Sequence, residues 1–236
     1  MKIDNPQILL IIPCFNEQET IGPLLDEIIS CGIECQVIVI DDGSSDATYD
    51  IASKRALTIK LLKNLGIGGA VQTGIKYAAE NDFDFCIQID GDGQHPPSEI
   101  SKLLKSHQND PYAMIIGSHY LCNESFRSTF SRRFGGKVIS QIIHVLFRRA
   151  RITDPTSGMR LMDRRAIRFF AKHYPLDYPE PISLAWALKS GLDVGECAVK
   201  MRSRNKGESS IHGWKPLVYM FRVLGYITLA RIADLI

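Results

Sequence analysis

The sequence predicts an α/β protein built on a doubly wound, mostly parallel sheet with flanking helices and a C-terminal amphipathic helical segment. Three observations carry that prediction. Strand-sized apolar runs alternate with helical stripes through the first half of the chain. The runs Ile8-Leu9-Leu10-Ile11-Ile12 and Val37-Ile38-Val39-Ile40 are continuously apolar, as in parallel strands buried on both faces. Polar turns follow the strands, and the helical crossovers between them are expected to be right-handed.

The first run stops at Pro13, and Asn16-Glu17-Gln18-Glu19 is placed to open a helix, with Asn16 as cap and Glu19 at capping-box distance. Leu24, Leu25, Ile28 and Ile29 form the apolar stripe of that helix, and Cys31-Gly32 ends it. The second strand runs into the Asx- and Ser-rich turn Asp41-Asp42-Gly43-Ser44-Ser45-Asp46, and a helix follows over 47–54. A third strand is expected over 58–63, then a flexible loop from Asn64 to Ala70, then a helix carrying Val71, Ile75, Ala78 and Ala79. The glycines of Gly66-Ile67-Gly68-Gly69 do not fit a dinucleotide fingerprint, which belongs after the first strand of such a unit. They suit a close backbone approach instead.

Phe85, Ile87 and Ile89 alternate with Cys86 and Gln88 in a fourth strand that ends at Asp90-Gly91-Asp92-Gly93-Gln94-His95-Pro96-Pro97. A helix over 98–106 and a fifth strand over 113–117 come next. The second half changes character. A long helix is expected over 128–149, with Ile139, Ile142, Ile143, Leu146 and Phe147 on one side and arginines at its ends. Asp154 to Arg160 is expected to be a tight polar turn, 166–172 and 182–189 helical, 194–201 a strand and 202–210 a basic loop. From Trp214 onward the chain reads as a largely apolar helix.

With 236 residues, 45% hydrophobic and 23% charged, the chain is an ordinary core-forming globular protein. Its net charge of +2 gives no general electrostatic argument for a nucleic-acid partner. The six cysteines form no C-x-x-C pair, and several lie in apolar runs, which suits reduced thiols and a cytoplasmic setting. No signal peptide is expected at Met1 to Pro6, and no uncharged apolar run reaches the roughly 20 residues of a spanning helix. There is no G-x-S-x-G elbow and no phosphate-binding G-x-x-x-x-G-K loop.

In a parallel sheet, the ends of the first, second and fourth strands share one edge, which is where ligands bind. That edge would gather Glu17, Asp41, Asp42, Asp90 and Asp92 into an acidic rim. Asp90 and Asp92, with the amide oxygen of Gln94, suit a hard cation such as Mg²⁺ or Mn²⁺, which would in turn hold phosphates. His95 and His119 follow strand ends on the same edge.

Six segments in order resemble the family-2 glycosyltransferases of GT-A fold, and more closely their dolichyl- or polyprenyl-phosphate mannosyl/glucosyltransferase branch. Pro13-Cys14-Phe15-Asn16-Glu17 is similar to P-x-[YF]-N-E, and Val39 to Asp46 to V-D-D-G-S-x-D. Asn64-Leu65-Gly66 resembles an N-x-G loop, and Asp90 to Pro97 resembles D-A-D-x-Q-H-P-P. Asp154 to Arg160 resembles D-x-x-S-G-[FM]-R, and Arg204 to Ser209 resembles R-x-x-G-x-S. The resemblance spans 8–210.

It implies that Pro13, Phe15, Asn16, Glu17, Asp41, Asp42, Gly66, Asp90 and Gly91 line the donor pocket, and that Asp90, Asp92 and Gln94 hold the metal. It implies phosphate contacts from His119, Arg132, Arg133 and Arg204, and catalytic roles for Asp92, Asp154 and Glu180. The branch often reads G-S-R-Y where this chain has Gly117-Ser118-His119-Tyr120, so a titratable ring replaces a permanent cation.

The implied activity is an inverting, metal-dependent transfer of a hexose from GDP-mannose or UDP-glucose to a polyprenyl phosphate at the cytosolic membrane face. A saccharide hydroxyl as acceptor is the rival, with Asp154 or Glu180 as base. A non-catalytic nucleotide-sugar-binding subunit of a membrane complex is the second. A glycosyltransferase domain over 1–212 and an apolar helix over 213–236, touching membrane, a small membrane-protein partner or a second copy, complete the expectation.

Overall fold

The computed structural model describes residues 6–122, 130–148, 152–202 and 215–232, without the side chains of 130–132 and 215–218. The strands are β1 (Ile8–Cys14), β2 (Gln36–Asp41), β3 (Leu57–Lys60), β4 (Phe85–Gln88), β5 (Met114–Ser118), β6 (Arg160–Asp163) and β7 (Val194–Ala198). They form one seven-stranded sheet in the order β3-β2-β1-β4-β6-β5-β7. Every pairing is parallel except those of β6, which runs antiparallel between β4 and β5.

The helices are α1 (Ile21–Ser30), α2 (Thr48–Ala52), α3 (Gly66–Glu80), α4 (Ile100–Asn109), α5 (Phe130–Phe147), α6 (Arg164–Lys172), α7 (Pro179–Lys189) and α8 (Lys215–Ile232). They cover both faces of the sheet. Successive strand side chains point to opposite faces, so β1 serves two cores. Leu9 and Ile11 join Val71 and Ile75 of α3, Phe170 of α6 and Leu184 of α7. Leu10 and Ile12 join Leu24, Leu25 and Ile28 of α1 and Leu103 of α4. That double burial is why the β1 sequence is apolar at every position.

α8 packs into the first core through Val223, Ile227 and Ala230, with its Arg231 Nε donating to the Leu146 carbonyl 3.1 Å away in α5. Phe221, Leu229 and Ile232 of the same helix are exposed. Among the described residues no helix is long and apolar enough to cross a membrane.

Three local expectations need correction. The stretch from Gly66 to Ala70 is the first turn of α3, not a flexible loop. A Cβ on Gly68 would stand 2.5 Å from the Pro175 carbonyl oxygen, so the glycine lets the helix touch the chain ahead of α7. Asn16 does not cap α1, which begins at Ile21 after Thr20. Asn16 has φ of 55° and spends its side-chain oxygen on Ser45 N–H, 3.0 Å away. Finally, Arg160 is not the end of a turn but the first residue of β6, a strand that the periodicity did not announce. A fully buried arginine interrupts its apolar pattern.

Candidate functional site

The C-terminal ends of β1, β2 and β4 lie together, as parallel pairing requires. The register sets Cys14 beside Asp41, and Asp42 N–H donates to the Cys14 carbonyl at 2.8 Å, so the pairing runs past the strand ends. The turn after β1 is stapled to the turn after β2. Asn16 N–H donates to Ser44 Oγ at 2.9 Å, and Glu17 N–H to Thr48 Oγ1 at 2.8 Å. Glu17 Oε2 accepts from Thr20 Oγ1 at 2.8 Å.

Asp41 is fully buried; its Oδ1 accepts from Ser44 N–H at 3.0 Å, and its Oδ2 lies 3.8 Å from Lys60 Nζ. Asp42 accepts from Leu65 N–H at 2.7 Å, which ties β2 to Gly66 at the start of α3. Burial pushes the Asp42 carboxyl up, against the pull of the Leu65 and Gly66 amides. Phe15, by contrast, is 47% exposed, an apolar ring left at the mouth of this edge. Gly91 is buried against Cys14 Sγ and the Pro13 carbonyl, so the β1 and β4 ends meet directly.

The acidic pair follows β4. Asp90 Oδ2 faces His95 Nε2 at 3.6 Å, while Asp90 Oδ1 is buried and accepts no hydrogen bond from the described residues. Burial alone would raise the Asp90 carboxyl, but His95 and Arg160 outweigh it and hold it below the usual carboxylate range. Asp92 Oδ1 accepts from Gln94 N–H at 3.0 Å, which folds the segment back so that Asp90, Asp92 and Gln94 share one turn. Gln94 Nε2 donates to the Arg202 carbonyl at 3.3 Å, so the amide oxygen is on the other side.

Among the described residues no group of three or more His, Cys, Asp or Glu side chains forms a ready-made cage for a metal. The set does fit a divalent cation that keeps places for diphosphate and water. Asp90 Oδ1 is an unspent buried acceptor, and hard cations of this kind take one or two carboxylates plus substrate phosphates.

The antiparallel β6 supplies the other wall. A strand of reversed direction brings its N-terminal end to the edge where its parallel neighbours bring their C-terminal ends. Asp154, Ser157 and Gly158 reach the site by that route. A Cβ on Gly158 would lie 2.5 Å from Asp90 Oδ2, so only a hydrogen leaves the carboxylate room. Arg160 is fully buried, with Nε donating to the Ser157 carbonyl (2.9 Å), Nη1 to Ser183 Oγ (2.7 Å) and Nη2 to the Pro155 carbonyl (3.0 Å). Its charge is felt by Asp154, Asp90 and Glu180.

Asp154 is fully buried, and its Oδ2 meets His119 Nδ1 at 2.7 Å. Glu196 of β7 accepts from Asp154 N–H at 2.7 Å and from Thr153 Oγ1 at 3.0 Å, and Thr153 Oγ1 lies 3.1 Å from Ser118 Oγ. Burial raises the Glu196 carboxyl. Glu180 sits in the first turn of α7; burial is the main cause that raises its carboxyl to about 7, with Asp90 adding to the rise and Arg160 opposing it.

Of the residues named from the sequence, those that follow β1, β2, β4 and β5 and Asp154 ahead of β6 lie along this edge. Arg133 is exposed near the start of α5, one turn before Gly136, which faces the Tyr120 ring. The Arg132 side chain and all of Arg204 lie outside the described residues. Sequence reasoning missed three partners. His95 is expected on this edge, but its pairing with Asp90 is not legible in the sequence. Arg160 closed a motif without a function attached to it. Glu196 had no signal at all, because only the β5–β7 register, Ile116 beside Glu196, puts it near Asp154.

Residues 9–170 match the family described as Glycosyl transferase family 2. A UDP-N-acetylglucosamine–dolichyl-phosphate N-acetylglucosaminyltransferase of Methanococcus voltae is 29% identical over 213 residues, covering 82% of this chain and 84% of that protein. A polyprenol monophosphomannose synthase of Mycolicibacterium smegmatis is 27% identical over 228 residues, covering 91% of this chain and 84% of that protein. The fold is similar to that of glucosyl-3-phosphoglycerate synthase from Mycobacterium tuberculosis, solved with Mn²⁺, uridine diphosphate and phosphoglyceric acid. The TM-score is 0.72 at 19% identity, covering 96% of this chain and 78% of that one.

Proposed function

The chain belongs to glycosyl transferase family 2 and is a glycosyltransferase of GT-A fold, and from that premise we propose that it moves a hexose from a nucleotide-diphosphate sugar to a polyprenyl phosphate, with inversion. The observation that carries the reading is the opposition of two unlike walls across one edge. The Asp90-Asp92-Gln94 turn suits a cation and a diphosphate. The His119–Asp154 pair, at 2.7 Å, suits a second anionic group. The names borne by the relatives from Methanococcus voltae and Mycolicibacterium smegmatis support a polyprenyl phosphate as that group.

Phe15, Glu17, Asp41 and Asp42 would hold the base and ribose, the exposed Phe15 ring by stacking and the carboxylates by accepting from hydroxyls and ring N–H groups. Asp90, Asp92 and Gln94 would hold Mg²⁺ or Mn²⁺, which supplies positive charge where the diphosphate leaves. Asp154 Oδ2, 2.7 Å from His119 Nδ1, would orient the ring so that Nε2 meets an acceptor oxygen. Arg133 and Arg204 would add cationic contacts. A lipid phosphate arrives as an anion and attacks the anomeric carbon from the face opposite the leaving group, so no strong base is required.

A saccharide hydroxyl is the second reading. Glu180 favours it, because a carboxyl near 7 is suited to take a proton. Peripheral attachment at the cytosolic membrane face fits the first reading, with Phe221, Leu229 and Ile232 of α8 as the apolar contact.

A thermal-shift panel of nucleotide sugars with and without Mn²⁺, followed by transfer from labelled donor to polyprenyl phosphate, tests the assignment. The expected outcome is metal-dependent stabilisation by GDP- or UDP-hexose and a lipid product whose sugar–phosphate bond is cleaved by mild acid. An acid-stable product would transfer the assignment to the hydroxyl reading. Asp92→Asn should abolish turnover.

A further inference from the structure

One residue far from the acidic turn holds it from two sides. Arg202 N–H donates to the Gln94 carbonyl at 2.9 Å, and the Arg202 carbonyl accepts from Gln94 Nε2 at 3.3 Å. Both the backbone and the side chain of Gln94 are thus engaged by the same residue. A carbonyl can only accept, so it dictates which end of the amide faces it. The nitrogen must turn toward Arg202, and Oε1 is left for the side shared with Asp90 and Asp92.

The Arg202 side chain takes no part in this. It reaches instead to Glu27 on α1, where Nη1 and Nη2 donate to Oε2 and Oε1, each at 2.8 Å. That is a two-point fork, the geometry in which an arginine–carboxylate pair fixes orientation as well as distance. The strand leading here is anchored too: Val199 N–H donates to the Ser118 carbonyl at 3.1 Å, and Lys200 N–H to the buried Glu99 carboxylate at 2.8 Å. Among the described residues beyond Lys200, the Glu27 fork is the side-chain anchor of Arg202 that lies outside the Gln94 turn.

We propose that the Glu27–Arg202 ion pair is a positioning device for the metal site, holding the Arg202 backbone so that Gln94 presents its amide oxygen to the cation. It rests on the reading that Asp90, Asp92 and Gln94 bind a divalent cation. Arg202 and Glu27 would act through Gln94, as positioning residues rather than ligands. Outer partners of this kind are where a metal site loses affinity when they are removed, by about 10- to 100-fold.

The test is a Mn²⁺ titration of the full chain with UDP or GDP present, free Mn²⁺ being followed by electron paramagnetic resonance. Wild type, Glu27→Gln, Arg202→Ala, Gln94→Ala and the double variant Gln94→Ala/Arg202→Ala are compared, with melting temperature as a fold control. The proposal expects Glu27→Gln and Arg202→Ala each to weaken Mn²⁺ by about tenfold. It expects the double variant to bind no more weakly than Gln94→Ala, because both changes remove one interaction. The charge-swapped Glu27→Arg/Arg202→Glu chain should recover most of the lost affinity, since the backbone contacts of residue 202 survive the exchange.

Wild-type Mn²⁺ affinity in Glu27→Gln and Arg202→Ala overturns the clamp while leaving the metal reading intact. Losses that add to that of Gln94→Ala, or that the swap does not restore, also overturn it. A wild-type chain that takes up no Mn²⁺ with either nucleotide overturns the metal reading itself, and the clamp with it.

Discussion

His119 Nδ1 and Asp154 Oδ2 stand 2.7 Å apart, one from the end of β5 and the other from the approach to β6. The contact joins two segments that the antiparallel strand brings side by side. Asp154 is fully buried; besides the approach of this ring to Oδ2, its Oδ1 accepts from Thr156 Oγ1 at 3.3 Å, and the Arg160 charge lies nearby. His119→Ala should therefore cost stability, about 1–3 kcal/mol for a buried polar atom left without its neighbour. In urea unfolding the loss should shrink when Asp154→Asn is added, because the carboxylate that faced the ring is then gone. Kinetically, His119→Ala should raise KM for polyprenyl phosphate by about tenfold or more with donor KM unchanged, the tenfold corresponding to about 1.4 kcal/mol of lost contact.

Gly158 has no room for a side chain. A methyl group there would sit 2.5 Å from one Asp90 oxygen and 2.6 Å from the other. Gly158→Ala should displace the carboxylate and weaken Mn²⁺ by about tenfold or more, seen in the titration as a right-shifted curve. Melting temperature should fall only modestly if Asp90 swings aside. Binding equal to wild type would mean that Asp90 is not a ligand.

Arg160 makes three hydrogen bonds from a fully buried position. Lysine keeps the charge but cannot reproduce the planar fork. Arg160→Lys should leave at least one of the Ser157, Ser183 and Pro155 acceptors unsatisfied, at about 1–3 kcal/mol each. Denaturant midpoints measure this directly. Because Arg160 also carries Ser157 and with it Gly158, activity should fall even where the protein remains folded.

Glu180 sets a pH dependence of a definite sign. Its carboxyl is raised from the ordinary 4.5 to about 7 in the folded chain, mainly by burial. Below pH 4.5 the group is protonated in both the folded and unfolded states and costs nothing. As pH rises toward 7 the unfolded chain releases the proton and the folded chain keeps it, so stability falls across that window and levels off above it. Glu180→Gln should flatten this part of the stability profile and raise stability at pH 8. If Glu180 is also the base for a hydroxyl acceptor, the same variant would abolish transfer. Under the lipid-phosphate reading transfer survives, so one variant separates the two.

The β1, β2 and β4 runs, their polar ends and the Asp90-Gly91-Asp92 turn were all legible in the sequence, because each is a local pattern. Buried parallel strands announce themselves by continuous apolar character, and parallel pairing then places their ends on one edge without further information. The order of six short motifs was enough to point to the family. β6 was not legible. Its apolar face is too short, and Arg160 breaks it with a charge that only the surrounding carbonyls and Ser183 make tolerable in the core. With β6 went the reversed direction that carries Asp154 and Gly158 to the acidic edge. Glu196 beside Asp154, Gly158 against Asp90, and Arg202 joining Gln94 to Glu27 are contacts between segments far apart in the chain, set by register and crossover. The sequence by itself determined which residues could do the chemistry. Tertiary structure decided which of them meet, because side-chain contact across a sheet depends on strand order and direction, which local pattern does not encode.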